Sequence, residues 1–327
     1  MSSNVSGALD LQQKYRHFRI LVIGRANAGK TTLLKRVCNA MEEPCIYDEE
    51  RRNLLEPTAD RGVHDIYQPF AFASNPQFIF HDSPGFEKGG EKELKDVQGF
   101  IEKCAQATNV EDQLHAIWYC SSELSFIMII ANDCWFRFCL VTDASRPLLE
   151  LEERFFQEKH IGNGMCFPII FSCNSWPIHH LVPVIAVFTK FDGLITQLYN
   201  EEKEESELHE DARLYVEQKF QEPLAKCKYP PKEYLCLEDM YKDEGNHQEQ
   251  VKELMQKTAD SLDNPTLQLL FVSIQQNNLE LCIKYAVKYI NLNTFTLQHD
   301  AIFCLQWFCH VYVQQLEDSF EESKQRT

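Results

Sequence analysis

The feature that most constrains this chain is a glycine-rich loop between an apolar run and an amphipathic one. Residues 18–23 read FRILVI, as in a short buried strand, and residues 24–31 read GRANAGKT, which fits G-x-x-x-x-G-K-[ST]. Leucine and valine then recur at helical spacing. The backbone N–H groups of such a loop and the N-terminus of the following helix attract phosphate oxygens. Strand, loop and helix in this order therefore predict a phosphate-binding loop.

Two side chains of the loop have chemistry that suits a bound polyphosphate. Lys30 can reach the β and γ phosphates, and the Thr31 hydroxyl can ligate Mg²⁺. The alternative is a glycine-rich turn that arises by chance. The flanking strand and helix patterns favour the phosphate-binding interpretation.

The charge balance argues against a broad electrostatic surface for polyanions. The 327 residues include 49 acidic and 32 basic side chains, a formal net charge of −17, so we expect neither nucleic acid nor an anionic membrane as a partner. The 13 cysteines show no C-x-x-C pair and no Cys/His metal spacing, which indicates reduced thiols. The first residues lack the apolar stretch of a secretory signal, and the expected compartment is the cytoplasm.

Two apolar stretches resemble membrane spans in length or composition. Residues 161–189 contain no formally charged side chain, but their prolines, Asn174 and two adjacent histidines would leave polar groups unsatisfied in lipid. Residues 126–141 are interrupted by Asp133 and Arg137. We therefore expect neither stretch to cross a membrane.

The rest of the chain alternates strand patterns with helix patterns. Runs of β-branched and aromatic residues, bounded by turn residues, are separated by segments with apolar residues at helical spacing. This alternation predicts an α/β protein with a three-layer P-loop NTPase fold and a mostly parallel central sheet. The predicted strands cover residues 18–23, 64–72, 77–82, 114–120, 182–189 and 267–274, and helical patterns cover residues 201–222 and 279–290.

Two further motifs come directly after predicted strands. Asp82 to Gly85 read DSPG, in which the Asp82 carboxylate can hold Mg²⁺ through water and the Gly85 N–H can meet a γ-phosphate. Thr189 to Asp192 read TKFD and match [NT]-K-x-D, in which the carboxylate accepts two N–H bonds from guanine and the stem of Lys190 covers the base. Adenine has no such donor pair, so a buried carboxylate here favours guanine.

The order of the three motifs, GRANAGKTT, HDSPGF and TKFDG, resembles the G domain of the translation-factor-related class of P-loop GTPases. The position of Asn27 in the first motif is similar to the branch that includes Era, TrmE and the septins. Residues 56–66, EPTADRGVHDI, and residues 74–90, SNPQFIFHDSPGFEKGG, resemble uncharacterised fungal G domain-containing proteins. The resemblance covers about residues 18–291.

This resemblance implies a protein that binds GTP and GDP with Mg²⁺ and hydrolyses GTP as a molecular switch. The switch loops would be residues 48–63 and 83–98. Lys30 and Thr58 would be the catalytic residues, although Thr58 could instead be an ordinary exposed loop threonine. The Mg²⁺ ligands would be Thr31, Thr58 and Asp82.

The resemblance also implies a set of nucleotide-binding positions. The family's fifth motif, which places a backbone N–H on the guanine oxygen, would fall on Ser273 and Ile274, where Ser273 alone matches. The whole set is Gly24, Asn27, Ala28, Gly29, Lys30, Thr31, Thr32, Gly85, Thr189, Lys190, Asp192, Ser273 and Ile274.

The residue after the DSPG motif is Phe86, where Ras-like members place a glutamine that orients the attacking water. A phenyl ring cannot orient water through hydrogen bonds. In some related proteins with an apolar residue there, a K⁺ ion held partly by the loop asparagine supplies positive charge. Asn27 therefore suggests hydrolysis that K⁺ stimulates, and the alternative is that Asn27 caps the loop.

The predicted organisation is an N-terminal arm at 1–17, a G domain at 18–291 and a C-terminal tail at 292–327. Residues 121–139 and 165–181 are apolar and aperiodic, unlike surface loops, and they separate segments that would otherwise join smoothly. They are either translated introns or genuine inserted elements that form a contact surface.

Two other functions remain open at this point. Phe86 and the two insertions are compatible with a nucleotide-binding scaffold without turnover. A P-loop kinase for small molecules shares this type of loop, but the TKFDG motif and the lack of an arginine cluster disfavour it. As partners we expect guanine nucleotide, an unknown effector protein and a nucleotide-dependent dimer.

Overall fold

A computed structural model describes most of the sheet and its covering helices. The described residues are 17–24, 28–46, 65–83, 91–107, 109, 112–122, 150–157, 166–169, 178–200, 202–274 and 279–292. Asn27, Thr58, Gly85 and Phe86 lie outside them, and so do the loop at 48–63 and most of residues 121–139. The predictions on these residues therefore stay predictions.

The described strands are short, and those at the centre of the main sheet are buried. Those that alternate with helices carry apolar side chains on both faces, as expected of a sheet covered on both sides. In chain order they are β1 Phe18–Gly24, β2 Cys45–Ile46, β3 Phe70–Phe72, β4 Asn75–Asp82, β5 Ala116–Ser122, β6 Cys166–Ile169, β7 Ile178–Leu181, β8 Val184–Thr189 and β9 Glu233–Cys236.

The described helices follow the strands in the alternating order that the sequence predicts. They are α1 Lys30–Val37, α2 Glu91–Ala105, α3 Glu150–Gln157, α4 Phe191–Gln197, α5 Glu205–Val216, α6 Glu222–Ala225, α7 His247–Ser261, α8 Pro265–Ser273 and α9 Leu279–Leu292. A π-helical turn at Glu217–Gln221 joins α5 to α6. None of these helices is long and apolar enough to cross a bilayer.

Within the described residues, seven strands form one sheet in the order β2-β3-β4-β1-β5-β8-β9. β1 lies at its centre, parallel to β4 and β5, and Ile20 is in register with Phe80 on one side and Ala116 on the other. β8 and β9 continue the parallel part, whereas β2 and β3 are antiparallel to their neighbours. This is a three-layer α/β P-loop fold, and the predicted fold class is confirmed.

The hydrophobic core lies on both faces of the sheet, and β1 contributes to each face in alternation. Phe18, Ile20 and Val22 point to the face covered by α1 and α7–α9, whereas Leu21 and Ile23 point to the face covered by α2–α5. Parallel strands end at a common edge, so the carboxyl ends of β1, β4, β5, β8 and β9 lie together. In open α/β sheets this edge holds the ligand.

The strand predicted at 64–72 is too long. The structure has only the three residues of β3, because the chain before it turns: the Asp65 carboxylate accepts the Tyr67 N–H at 2.9 Å and the Asp65 carbonyl accepts the Gln68 N–H at 3.0 Å. The predictions for the strands at 18–23, 77–82, 114–120 and 182–189 are confirmed to within two residues.

The strand predicted at 267–274 is wrong, since this segment forms helix α8. The Asn264 side chain accepts the Leu267 N–H at 3.2 Å, and Pro265 occupies the first helical position, where its missing N–H costs nothing. The apolar residues Leu267 and Leu269–Val272 are all buried and nearly contiguous, so they show no helical period. The edge of the sheet is filled instead by β9, which we did not predict.

The described residues of the segment 165–181 form two antiparallel strands, β6 and β7, that pair with each other apart from the main sheet. Its first strand lies next to α2. The other predicted insertion, 121–139, lies outside the described residues except for the last two residues of β5.

Candidate nucleotide-binding site

The first glycine of the phosphate-binding motif lies where the backbones of β1 and β5 are in close contact. Gly24 has a φ of 139° and is in register with Cys120. A Cβ atom on Gly24 would lie 1.7 Å from the Cys120 carbonyl oxygen. Only glycine fits this position, because a side chain would have to displace the backbone of the neighbouring strand.

The second half of the loop turns into helix α1 at Gly29. Gly29 has a left-handed conformation with a φ of 73°, and its carbonyl accepts the Leu33 N–H at 2.9 Å as the first bond of the helix. Lys30 and Thr31 are the first two helical residues, so the helix N-terminus adds positive potential where the motif places the phosphates.

Lys30 and Asp82 bring the first two motifs together. The Lys30 ammonium lies 3.7 Å from a carboxylate oxygen of Asp82, and the two side chains are only 8% and 12% exposed. Asp82 is the last residue of β4, next to β1 in the sheet. The predicted γ-phosphate lysine and the predicted metal-associated carboxylate therefore meet at the carboxyl edge.

The thiol of Cys120 lies behind this pair and does not take part in acid–base chemistry. Burial raises the pKa of Cys120 to about 12, with a smaller upward effect from Asp82 and an opposing effect from Lys30. The thiol is therefore protonated and inert at neutral pH.

The residues at this edge fit a magnesium ion. Mg²⁺ prefers hard oxygen ligands and retains several waters, and it is usually held by one carboxylate, a hydroxyl and substrate phosphates. The Asp82 carboxylate lies at the end of β4, and Thr31 is exposed at the start of α1, so both kinds of oxygen are present. The third predicted ligand, Thr58, lies outside the described residues.

The third motif is tied to the phosphate-binding loop through Thr189. The hydroxyl of Thr189, which is 4% exposed, donates a 2.7 Å hydrogen bond to the Ala28 carbonyl. This bond joins the last residue of β8 to the loop, 161 positions apart in sequence. The sequence predicts nucleotide contacts for both residues but gives no sign of this direct bond.

Lys190 and Asp192 sit at the start of helix α4. Lys190 adopts a left-handed conformation before the helix, with a φ of 57°, and Asp192 lies in the first turn. Burial lowers the pKa of the half-buried Lys190, and the neighbouring carboxylate of Asp192 partly opposes this effect. The two side chains thus lie at the same edge as Lys30 and Asp82.

A loop that the sequence analysis missed lies beside Asp192. After β9 the chain runs through Leu237 to Lys242, and the Asp239 N–H donates to an Asp192 carboxylate oxygen at 3.0 Å. Asp239 has a left-handed φ of 55°. The Phe191 N–H donates to the Leu237 carbonyl at 3.0 Å, so the loop and the start of α4 are bonded twice.

Side chains from three helices hold this loop. From α7, the Gln250 amide bonds both backbone groups of Glu238, at 2.8 Å and 3.1 Å, and His247 donates to the Asp239 carbonyl at 2.8 Å. From α1, Arg36 donates to the Met240 carbonyl at 3.0 Å and to the Lys242 carbonyl. From α5, His209 lies 3.3 Å from a carboxylate oxygen of Glu238.

Ser273 and Ile274 lie elsewhere. The Ile274 carbonyl accepts a 3.3 Å hydrogen bond from Asn75, the first residue of β4, whereas Asp82 is the last. Seven residues of parallel strand span about 23 Å, so Ile274 is at the opposite edge of the sheet. This placement is at odds with the predicted contact of Ser273 and Ile274 with a guanine held near Asp192.

Comparison with known proteins gives one family match. Residues 19–132 match a family model described as 50S ribosome-binding GTPase. This part contains the phosphate-binding loop, the Asp82 motif and β1 to β5. Together with the seven-stranded sheet, the match supports a P-loop GTPase G domain, a class of protein that binds guanine nucleotide. A search of curated proteins finds no match.

Proposed function

We propose that this chain binds GTP and GDP with Mg²⁺ and hydrolyses GTP, changing conformation between the two nucleotide states. The observation that supports this most strongly is the convergence of three separate motifs at one edge of the sheet. Lys30 lies 3.7 Å from Asp82, and the Thr189 hydroxyl bonds the Ala28 carbonyl at 2.7 Å. This arrangement supports a phosphate subsite and a base subsite side by side.

In the proposed phosphate subsite, Lys30 and the loop backbone from Gly24 to Thr32 bind the β and γ phosphates. Thr31, Asp82 and Thr58 hold Mg²⁺, and the Gly85 N–H contacts the γ-phosphate. The role of these groups is to position the phosphates and to stabilise the charge that develops as water attacks. Mg²⁺, when bound, neutralises charge on the β and γ oxygens.

In the proposed base subsite, Asp192 accepts the two N–H groups of guanine and the stem of Lys190 lies over the ring. We assign the backbone contact to the guanine oxygen to the loop after β9 rather than to Ser273 and Ile274. The support is the bond from the Asp239 N–H to the Asp192 carboxylate, which brings this loop next to the base-reading side chain.

Hydrolysis is proposed to depend on K⁺, held partly by Asn27, since Phe86 offers no hydrogen bond to the attacking water. This extends the likeness to the branch that includes Era, TrmE and the septins. GTP turnover that is several-fold faster in K⁺ than in Na⁺ would support it, and equal rates would contradict it. A nucleotide-binding scaffold without turnover is the second candidate, and Phe86 favours it. Single-turnover hydrolysis above the rate without protein would exclude that candidate.

The switch is proposed to act through the loops at 48–63 and 83–98, on an effector protein or a second copy of the chain. The segments 121–139 and 165–181 stay in the proposal as either inserted elements or translated introns. Sequencing the spliced message distinguishes the two, because a transcript that contains both segments excludes the intron explanation.

The decisive experiment is equilibrium binding of fluorescent GDP, GTP and ATP in the presence of Mg²⁺. We expect guanine nucleotides to bind and ATP not to bind. Asp192→Asn should weaken GDP at least about tenfold, because the new amide presents a donor to the guanine N–H groups. The same change should favour xanthosine diphosphate, whose C2 carbonyl oxygen, in place of the guanine amino group, can accept that donor.

A matched control is Asp211→Asn on α5, where Asp211 pairs with Lys203. It removes the same charge from a side chain that has no role in the proposed base subsite, and it should leave GDP binding within twofold. Equal binding of ATP and GDP by the unmodified chain, or equal effects of the two substitutions, would contradict the proposed base subsite.

A further inference from the structure

The loop after β9 presents successive peptide groups whose orientations are fixed one by one. The peptide between Glu238 and Asp239 is held at both ends: its carbonyl accepts the Gln250 amide at 3.1 Å, and its N–H donates to Asp192 at 3.0 Å. A peptide is planar and trans, so two such bonds fix its plane. The N–H side of this plane faces the residue proposed to read guanine.

The next peptide, between Asp239 and Met240, is held at its carbonyl. The Asp239 carbonyl accepts two N–H groups, that of Lys242 at 2.9 Å and that of the His247 ring at 2.8 Å, and since a carbonyl can only accept, His247 Nε2 carries the proton. In a trans peptide the N–H points away from the carbonyl. The Met240 N–H therefore points away from His247, and no residue in the described part of the chain accepts it.

The left-handed conformation of Asp239 lies between these two peptides. Such a residue allows successive N–H groups to converge on one electronegative atom, as in backbone nests. Arg36 from α1 holds the next peptide, between Met240 and Tyr241, because it donates to the Met240 carbonyl at 3.0 Å. Within the described residues, the Met240 N–H is thus a donor without a protein partner, and both peptides that flank Met240 have anchored carbonyls.

The His247 ring itself has little freedom. It is 5% exposed at the first residue of α7, and a Cβ on the adjacent Gly245 would lie 3.2 Å from its Nε2. Gly245 has a φ of 141°, which side chains rarely adopt. Burial and the hydrogen bond to the Asp239 carbonyl hold the ring in the orientation that donates to Asp239, and a side chain at Gly245 would crowd it.

We infer that His247 is a positioning residue for base recognition: it orients the Asp239–Met240 peptide so that the Met240 N–H donates to the O6 oxygen of guanine. This inference rests on the proposed function. The hydrogen bond to the carbonyl also polarises the peptide and makes its N–H a better donor, because hydrogen bonds in a chain strengthen one another.

The test compares GDP with 6-thio-GDP in the full chain. The sulfur analogue keeps both N–H groups that Asp192 accepts and replaces only O6 with a weak acceptor. The unmodified chain should prefer GDP. In His247→Phe we expect GDP to weaken about three- to tenfold, the range for one neutral hydrogen bond, while 6-thio-GDP changes less than twofold. His247→Gln, which keeps an N–H donor, should restore most of the preference.

His209→Phe is the matched control. His209 contacts the same loop only through the Glu238 carboxylate, so its loss leaves every peptide bond orientation in place. Its preference for GDP should equal that of the unmodified chain. A His247→Phe protein that is folded by urea titration and keeps the full preference overturns the inference.

A second measurement covers the case in which His247→Phe does not fold. The chain contains six methionines, so selective ¹⁵N labelling gives few amide signals, and Met240→Leu assigns the relevant one. GDP should move the Met240 amide proton further downfield than 6-thio-GDP does. Equal shifts overturn the inference while leaving guanine binding intact, whereas an unmodified chain that binds no guanine nucleotide contradicts the proposed function itself.

Discussion

The substitution Gly24→Ala should destabilise the protein far more than a typical glycine-to-alanine change. The new Cβ would lie 1.7 Å from the Cys120 carbonyl oxygen and 3.1 Å from the Cys120 nitrogen. Both atoms belong to the backbone of β5, which is hydrogen-bonded to β1 in the middle of the strand order, so relief requires β1 and β5 to separate. Crowding of this kind costs about 1–3 kcal/mol. The φ of 139° adds backbone strain of about 1–3 kcal/mol, for a sum of about 2–6 kcal/mol.

Two other glycines provide a graded comparison. Gly29→Ala places a Cβ in open space, but the φ of 73° remains, so we expect a loss of about 1–2 kcal/mol from strain alone. Gly99→Ala lies within α2, where the nearest atom to the new Cβ is the Tyr67 hydroxyl at an ordinary 3.8 Å. It should stabilise the protein by about 0.5–1 kcal/mol through lower unfolded-state entropy.

The assay is urea-induced unfolding followed by circular dichroism, with and without GDP. The expected order of unfolding free energy is Gly99→Ala above the unmodified chain, then Gly29→Ala, then Gly24→Ala. If Gly24→Ala loses less than about 1 kcal/mol, or less than Gly29→Ala, then β1 and β5 are not in the close contact on which this reasoning depends.

Two further predictions concern single buried hydroxyl groups. Thr189→Val leaves the Ala28 carbonyl without its 2.7 Å donor, so the unfolding free energy should fall by about 1–3 kcal/mol and GDP should bind more weakly. Thr189→Ser keeps the hydroxyl and should keep near-normal GDP affinity. Equal GDP affinities for the two variants would contradict a role for this bond in coupling β8 to the loop. The Tyr234 hydroxyl is buried with no partner in the described part of the chain, so Tyr234→Phe should raise the unfolding free energy by about 1 kcal/mol. Burial raises the pKa of Tyr234 to about 12 from 10.0, so between these pH values the folded state keeps a proton that the unfolded state loses. The unfolding free energy should therefore be highest below pH 10 and fall between pH 10 and 12. Tyr234→Phe should flatten this decline, and an unchanged pH profile in the variant would argue against a contribution from Tyr234.

The phosphate-binding edge is largely predictable from the sequence because its signals are local. The motif from Gly24 to Thr31 specifies strand, loop and helix within a few residues, and Asp82 and Asp192 follow apolar strands whose ends must lie at one edge of a parallel sheet. Contacts across the sheet, such as Thr189 to Ala28, depend on the strand order, which hydrophobic periodicity alone does not specify.

The base-side loop was missed because its strand is short and lies at the edge. β9 has four residues, of which Leu235 alone is buried, so it lacks the apolar run that marks the central strands. The apolar segment 267–274 looked more like a strand because the buried apolar residues of α8 are nearly contiguous in sequence, so the helix shows no regular polar stripe. The available signal was the pair Leu235 and Leu237 between two prolines and the turn residues Lys242–Gly245.

Helix α1 physically connects the proposed phosphate subsite to the proposed base subsite. This helix carries Lys30 at its first residue and Arg36 in its last turn, and Arg36 bonds the carbonyls of Met240 and Lys242. A helix of eight residues is about 12 Å long and does not bend appreciably over that length. A displacement of the helix by the phosphates must therefore move Arg36 and, through it, the loop beside Asp192. The Thr189–Ala28 bond connects the predicted phosphate-binding loop to the end of β8, three residues before Asp192, so the two proposed subsites are linked at two places and we expect them to move together.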